Sequence, residues 1–187
     1  MAQQALLDAA IVFCEDSQAV RSSLDTVYLV AGVAQYELDP PTAQAIATVL
    51  DVVIDGERLR SVYFDEVASL KPQKGKPTSY YTSRDGGAVV LHLYPTPDQR
   101  YTAAVTVAAR PTRSATVFDD DLVDFWADAV LSGAIGRLCA IPGQPFTSVE
   151  LAVAAGSAAV SKSRDARRTA SSGQIRGSMA VKGRPFA

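Results

Sequence analysis

The chain has 187 residues, 48% of them hydrophobic, and a formal net charge of −2. That length fits one domain, or one domain with a tail, and that apolar content excludes disorder over most of it. No apolar run approaches the ~20 residues a membrane-crossing helix requires, so a helical membrane protein is excluded as well.

The opening Met1-Ala-Gln-Gln-Ala-Leu-Leu-Asp8 has neither the basic start nor the long apolar centre of a signal peptide, so residence in the cytosol is expected. Residues 5–13 form a helical pattern in which Leu6, Ala9, Ala10 and Phe13 share one stripe, ended by Glu15-Asp16-Ser17. Residues 24–38 read as two short strands around Gly32, closed by Asp39-Pro40-Pro41. Ile46, Val49, Val52, Val53 and Ile54 then lead into Asp55-Gly56, a strong turn signal, and the pattern predicts a hairpin over 49–59. Residues 65–70 hold a turn or two of helix. Residues 71–77, with Lys74-Gly75-Lys76-Pro77, read as an exposed loop.

Strand character resumes at Thr78, and Arg84-Asp85-Gly86-Gly87 is a tight turn. Val89, Leu91 and Leu93 alternate with Val90, His92 and Tyr94. Beyond Pro95 and Pro97, Tyr101, Ala103, Val105 and Val107 alternate with Thr102, Ala104 and Thr106. That period of two predicts a half-buried antiparallel hairpin at the centre of the sheet, and a three-strand meander over 78–109.

After Arg110-Pro111-Thr112 the period changes to that of a helix. Asp119-Asp120-Asp121 opens it, because the positive end of a helix dipole favours carboxylates. Leu122, Phe125, Trp126, Ala129, Val130 and Gly133 recur at spacings of three and four to about Cys139, and Leu122, Phe125 and Trp126 are expected to be its buried anchors. Small residues crowd the same helix and suit close approach by another. Ile141-Pro142-Gly143 ends it, and Thr147-Ser148-Val149-Glu150 reads as a capping box for a second helix to about Ala170, apolar first and basic later. The predicted fold is therefore α+β, a mainly antiparallel sheet packed on a helical bundle. Residues 1–170 form the domain. Residues 171–187 form an extended, flexible basic arm, with Arg176, Lys182 and Arg184 as its charges and Val181 and Phe186 as its apolar anchors. Residues 161–187 carry seven basic residues against Asp165 alone, so the preceding body is strongly acidic. Such a body argues against a nucleic-acid binder over its whole surface.

The catalytic inventory is thin. His92, the sole histidine, sits mid-strand between two leucines and reads as a sheet residue rather than a general base. Cys14 and Cys139 lie far apart in apolar helical patterns and read as buried free thiols, not as a disulfide or metal site. Zinc lacks a ligand set, the aspartate run is more economically a helix cap, and Gly75-Lys76 lacks the upstream glycine and following Ser or Thr of a phosphate-binding loop. No enzyme, cofactor or metal is expected. Tyr80, Tyr81, Tyr94 and Tyr101 cluster along the strands, but without alternating basic residues they suit a core or subunit interface better than base stacking.

The order of motifs resembles the head-to-tail adaptor (neck, or head-completion connector) proteins of tailed bacteriophages. The residues that carry the resemblance are Tyr36-Glu-Leu-Asp-Pro-Pro41, Val49 through Asp55-Gly56 and Leu59, Gly75-Lys-Pro77 with Tyr80-Tyr81, and Leu91-His-Leu-Tyr-Pro-Thr-Pro97. They continue with Arg110-Pro-Thr112, Trp126, Gly133-Ala134, Arg137-Leu138, Pro142-Gly-Gln-Pro-Phe146, Arg164-Asp-Ala-Arg167 and Arg184-Pro-Phe-Ala187. The resemblance implies a non-enzymatic structural virion protein, located in the neck and assembled in the bacterial cytoplasm. It implies a homo-oligomeric ring, commonly a dodecamer, docked to the portal and meeting a tail or nozzle protein. Arg176, Val181, Lys182, Arg184 and Phe186 are then expected to contact the portal or a neighbouring subunit, with packaged DNA as another partner for the basic charges. Two other readings stay open: a different neck or tail ring protein (tail terminator or tail-tube component), or a nucleic-acid-binding regulator using residues 161–187.

Overall fold

In the computed structural model, residues 1–172 are described. The chain starts with helix α1 (Ala2–Ser17), followed by the short strands β1 (Arg21–Ser23), β2 (Val27–Leu29) and β3 (Gln35–Leu38). The long strand β4 (Gln44–Ile54) turns back into β5 (Glu57–Arg58). Asp55 and Gly56 have φ of 52° and 81°, and it is this double positive φ that makes Asp-Gly suit a two-residue hairpin turn. Then come β6 (Arg60–Ser61), α2 (Phe64–Ala68), β7 (Ser79–Asp85), β8 (Ala88–Tyr94) and β9 (Tyr101–Pro111). Two long helices close the described chain, α3 (Asp120–Cys139) and α4 (Val149–Ser172).

The protein is α+β, but its strands form two sheets rather than one. The first has the order β1-β9-β4-β5, with β2 also on β9, and the second has the order β3-β8-β7-β6. All pairings are antiparallel except β6 with β7. The expected central hairpin is therefore overturned. β8 pairs with β3 and β7, whereas β9 pairs with β1, β2 and β4. The expected meander reduces to the β7–β8 hairpin. The reason is physical: two alternating strands bury the same residues whether they lie side by side or face to face, and periodicity does not separate the two cases. Here Leu91 and Leu93 of β8 meet Val105 and Val107 of β9 across a sandwich core completed by Leu29, Leu38, Val52 and Ile54. Pro95 and Pro97 make the crossing from one sheet to the other. The 71–77 loop is exposed as expected for most of its residues, yet it is tied to that crossing by Gly75 N–H donating to the Thr96 carbonyl and Thr96 N–H to that of Gln73.

A second core lies between the helices. Ala9, Ala10, Phe13 and Cys14 of α1 pack on Leu122, Ala129, Val130 and Ala134 of α3, joined by Ala166 of α4 and by Ala109 at the end of β9. Asp119 opens α3 by accepting from Asp121 N–H at 3.0 Å, and it also accepts from the Gln44 amide at 2.9 Å, which fixes the helix start to β4. The cap of α4 is one residue later than the expected capping box. Ser148 Oγ accepts from Leu151 N–H, while Thr147 Oγ1 is occupied by Gln144 N–H and the Ile141 carbonyl. The loop before α4 claims the threonine, so the serine caps the helix.

α3 and α4 approach closely at Gly136. A Cβ there would stand 3.1 Å from Gly156 N and 3.3 Å from the Ala152 carbonyl oxygen, both backbone atoms that have no rotamer to give. At Gly156 a Cβ would meet nothing within 4 Å. Gly136→Ala is expected to destabilise the fold by roughly 1–3 kcal/mol despite alanine's better helix propensity. Gly156→Ala should stabilise by about 0.5–1 kcal/mol. Urea denaturation of the two variants checks the opposite signs.

Candidate functional site on the helical face

The strand half offers one constellation with chemical character. His92 stacks on Tyr81 with ring centroids 4.3 Å apart and planes 7° apart, and Phe64 meets Tyr81 edge-on at 5.6 Å. Ser83 Oγ lies 2.8 Å from His92 Nε2. Burial holds the imidazole below its usual pKa. A serine beside a neutral histidine is two parts of a nucleophilic triad, but among the described residues no carboxylate orients the other ring nitrogen. The cross-strand pair Tyr81 and His92 gives the ring a packing role instead. Tyr80 is buried in the sandwich core, and Tyr101 donates to Asp98 at 2.7 Å.

The aspartate run at the start of α3 acts as a helix cap, and among the described residues no three His, Cys, Asp or Glu side chains gather as a metal ion would require. Cys14 and Cys139 are buried free thiols.

The helical half presents a surface of another kind. α1, α3 and α4 leave between them an open groove of about 600 Å³. Its floor is small: Ala129, Gly133 and Gly136 of α3 with Gly156 and Ala159 of α4. Its walls are Val12 of α1 and Val149, Val153 and Val160 of α4, all at least two-fifths exposed. On the far side of α3, Leu131 and Ile135 are 48% and 42% exposed. Exposed apolar surface of this kind is typical of protein–protein and membrane contacts and of ligand-binding grooves. Inside the bundle, Lys162 Nζ donates to the Asp128 carbonyl and to Ser132 Oγ, both at 3.1 Å.

Of the residues expected to anchor α3, Leu122 is buried and Trp126 is partly buried, its ring 5.7 Å from that of Phe13. Phe125 does not join them and is 63% exposed. Among the described residues it belongs to neither core, although its spacing of three from Leu122 suits the buried stripe. Arg176, Val181, Lys182, Arg184 and Phe186 lie outside the described residues. The groove walls were not singled out by sequence reasoning, since valines scattered through an alanine-rich helix carry no sharp period. The signal available was that the first half of α4 is apolar on more sides than one partner helix could cover.

Truncation should separate the two aromatics: Trp126→Ala is expected to cost roughly 2–3 kcal/mol and Phe125→Ala under about 0.5 kcal/mol in the monomer. A second test uses pH. Burial pushes the Cys14 thiol up to about 12, whereas an unfolded thiol ionises near ~8.5. Between those values the native state keeps a proton that the unfolded chain releases, so stability falls as pH rises. Relative to Cys14→Ala, the wild type should lose roughly 1.4 kcal/mol per pH unit across that window. Chemical denaturation at several pH values measures it.

Compared with known proteins, the chain matches the family model described as SU10 adaptor protein over residues 2–180. No curated protein matches it.

Proposed function

Because the chain belongs to the SU10 adaptor protein family, and is thus a phage adaptor protein of a structural kind, we propose that it is one subunit of a homo-oligomeric ring that docks to the portal and joins the DNA-filled head to the tail. The observation that carries this reading is the apolar groove of α1, α3 and α4 that the described residues leave open, with a second apolar face on the opposite side of α3. A monomer gains nothing from leaving such surfaces in water, at about 25 cal/mol per Å². A subunit repeated around a ring covers both.

In this reading the ring holds twelve copies, as in the proteins the sequence resembles. It forms in the bacterial cytoplasm and resides in the virion neck, with a tail or nozzle protein on the face away from the portal. Residues 1–170 build the ring. Residues 171–187 supply Arg176, Lys182 and Arg184 to acidic groups on the portal or a neighbouring subunit, and Val181 and Phe186 to apolar pockets there. The protein performs no catalysis, and His92 serves packing.

Electron microscopy of the purified full chain, alone and with portal, tests the assembly. Closed rings of one size are expected, capping the portal when it is present. Deleting residues 174–187 should leave the midpoint of thermal unfolding within a few degrees of the full chain and abolish stable attachment to heads. A persistent monomer with tight affinity for duplex DNA would reverse the reading.

A further inference from the structure

Two helix faces of this subunit are complementary to each other when one is turned to meet the other on a second copy. On α4, the face that borders the groove carries Val149, Val153 and Val160 and then, in the same line, Arg164 and Arg167. All five are exposed. On α3, the outward face carries Asp120 and Asp124 and then Leu131 and Ile135, again all exposed. Read from opposite ends, the two faces match: charge then apolar on α3, charge then apolar on α4, with opposite signs of charge. Among the described residues, the side chains of Asp120, Asp124, Arg164 and Arg167 have no salt-bridge partner of their own. At the basic end Asp16 of α1 also lines the groove, and the two arginines outnumber it.

We propose that the groove of one subunit receives the outward face of α3 from the next copy, antiparallel to α4, so that Leu131 and Ile135 fill the glycine-floored groove beside Val160 and Val153 while Asp124 and Asp120 meet Arg164 and Arg167. This rests on the ring reading above and identifies its contact. Leu131 stands two positions before Gly133, about 200° around the helix axis, so the ridge and the groove point in opposite directions on one subunit. A contact between opposite sides is head-to-tail rather than self-complementary, as a ring of many copies requires.

The direction and height of the pairing follow from the bundle itself. α4 runs antiparallel to α3 within a subunit, since Lys162 reaches Asp128 while Gly156 lies on Gly136. A neighbouring α3 antiparallel to α4 is therefore parallel to the subunit's own α3. Arg164 and Arg167 also stand beside the first half of their own α3, which is the half that would bring Asp120 and Asp124 from the neighbour. The next copy thus sits within about one turn of the same height, turned about an axis along the helices. A head-to-tail repeat with turn and no rise closes on itself, where a repeat with rise grows as a filament.

The test uses full-length protein in sedimentation velocity, with circular dichroism to verify that each variant is folded, since every substituted side chain is exposed. A groove variant (Val153→Asp with Val160→Asp) and a ridge variant (Leu131→Asp with Ile135→Asp) should each weaken association by at least ~tenfold. Mixed in equal amounts they should form a one-to-one heterodimer and stop there, because one intact groove and one intact ridge remain. Asp124→Arg alone should weaken association, and adding Arg164→Asp should restore it. If the wild type associates and the single-face variants associate equally well, the helix pairing is overturned and the ring reading stands. If the variants fail and their mixture forms no heterodimer, the contact is self-complementary and the pairing is overturned too. If the wild type fails to associate even on portal, the ring reading itself falls and takes the pairing with it.

Discussion

The strand Tyr101–Pro111 is hydrogen-bonded along both edges, and its two ends face different cores. One edge takes β4 over nearly its whole length, from Gln44 opposite Pro111 to Ile54 opposite Ala103. The other takes β1 and β2 in succession. Tyr101, Ala103, Val105 and Val107 point into the sandwich, while Ala109 belongs to the helical core with Val20 and Phe13. Neither core is complete without this strand. The bundle and the sandwich are thereby held to one backbone, and the register of β9 sets where α1 and α3 stand against the sheets.

That dependence explains what could be read from the sequence and what could not. Local rules placed the turn at Asp55-Gly56, the aspartate cap of α3 and the change from strand to helix after Pro111, because each is decided within a few residues. Partnership across the fold is not decided locally. The alternation in Val89–Tyr94 and Tyr101–Val107 announced two half-buried strands but left open which neighbours their backbones would choose. The same limit applied to Thr147, whose hydroxyl had both a helix and a loop within reach. It applied again to Phe125, which has the right spacing for a core position and lies where the core ends. The groove walls were hidden for the opposite reason: they are apolar, and their exposure depends on how far α1 and α4 stand apart.

The surface chemistry suits binding better than reaction. Where a catalytic group would need neighbours, His92 has an aromatic ring on one face and a serine at one nitrogen. Where the chain presents unusual surface, the residues are valine, alanine and glycine, which exclude water and donate nothing. Cys14 is kept protonated in the same interior. Surfaces of this kind accord with a phage adaptor protein, the family to which the chain belongs.

The Lys162 clasp on α3 has a mechanical meaning. Its ammonium is shared between a main-chain carbonyl and Ser132, whose hydroxyl is itself bonded to the same Asp128 carbonyl. Little more than two turns towards the other end of the hairpin, Gly136 and Gly156 bring the two backbones into contact. Sliding α4 along α3 by one turn, about 5.4 Å, would strip the ammonium of both partners and bring the Ser132 or Ala140 side chain of α3 against the α4 backbone, where Gly136 alone leaves room. The helical hairpin therefore resists shear along its length at two separated points, one electrostatic and one steric. A pull or push along α4 is carried into α3 as a rigid strut carries load, instead of being lost in slippage between helices.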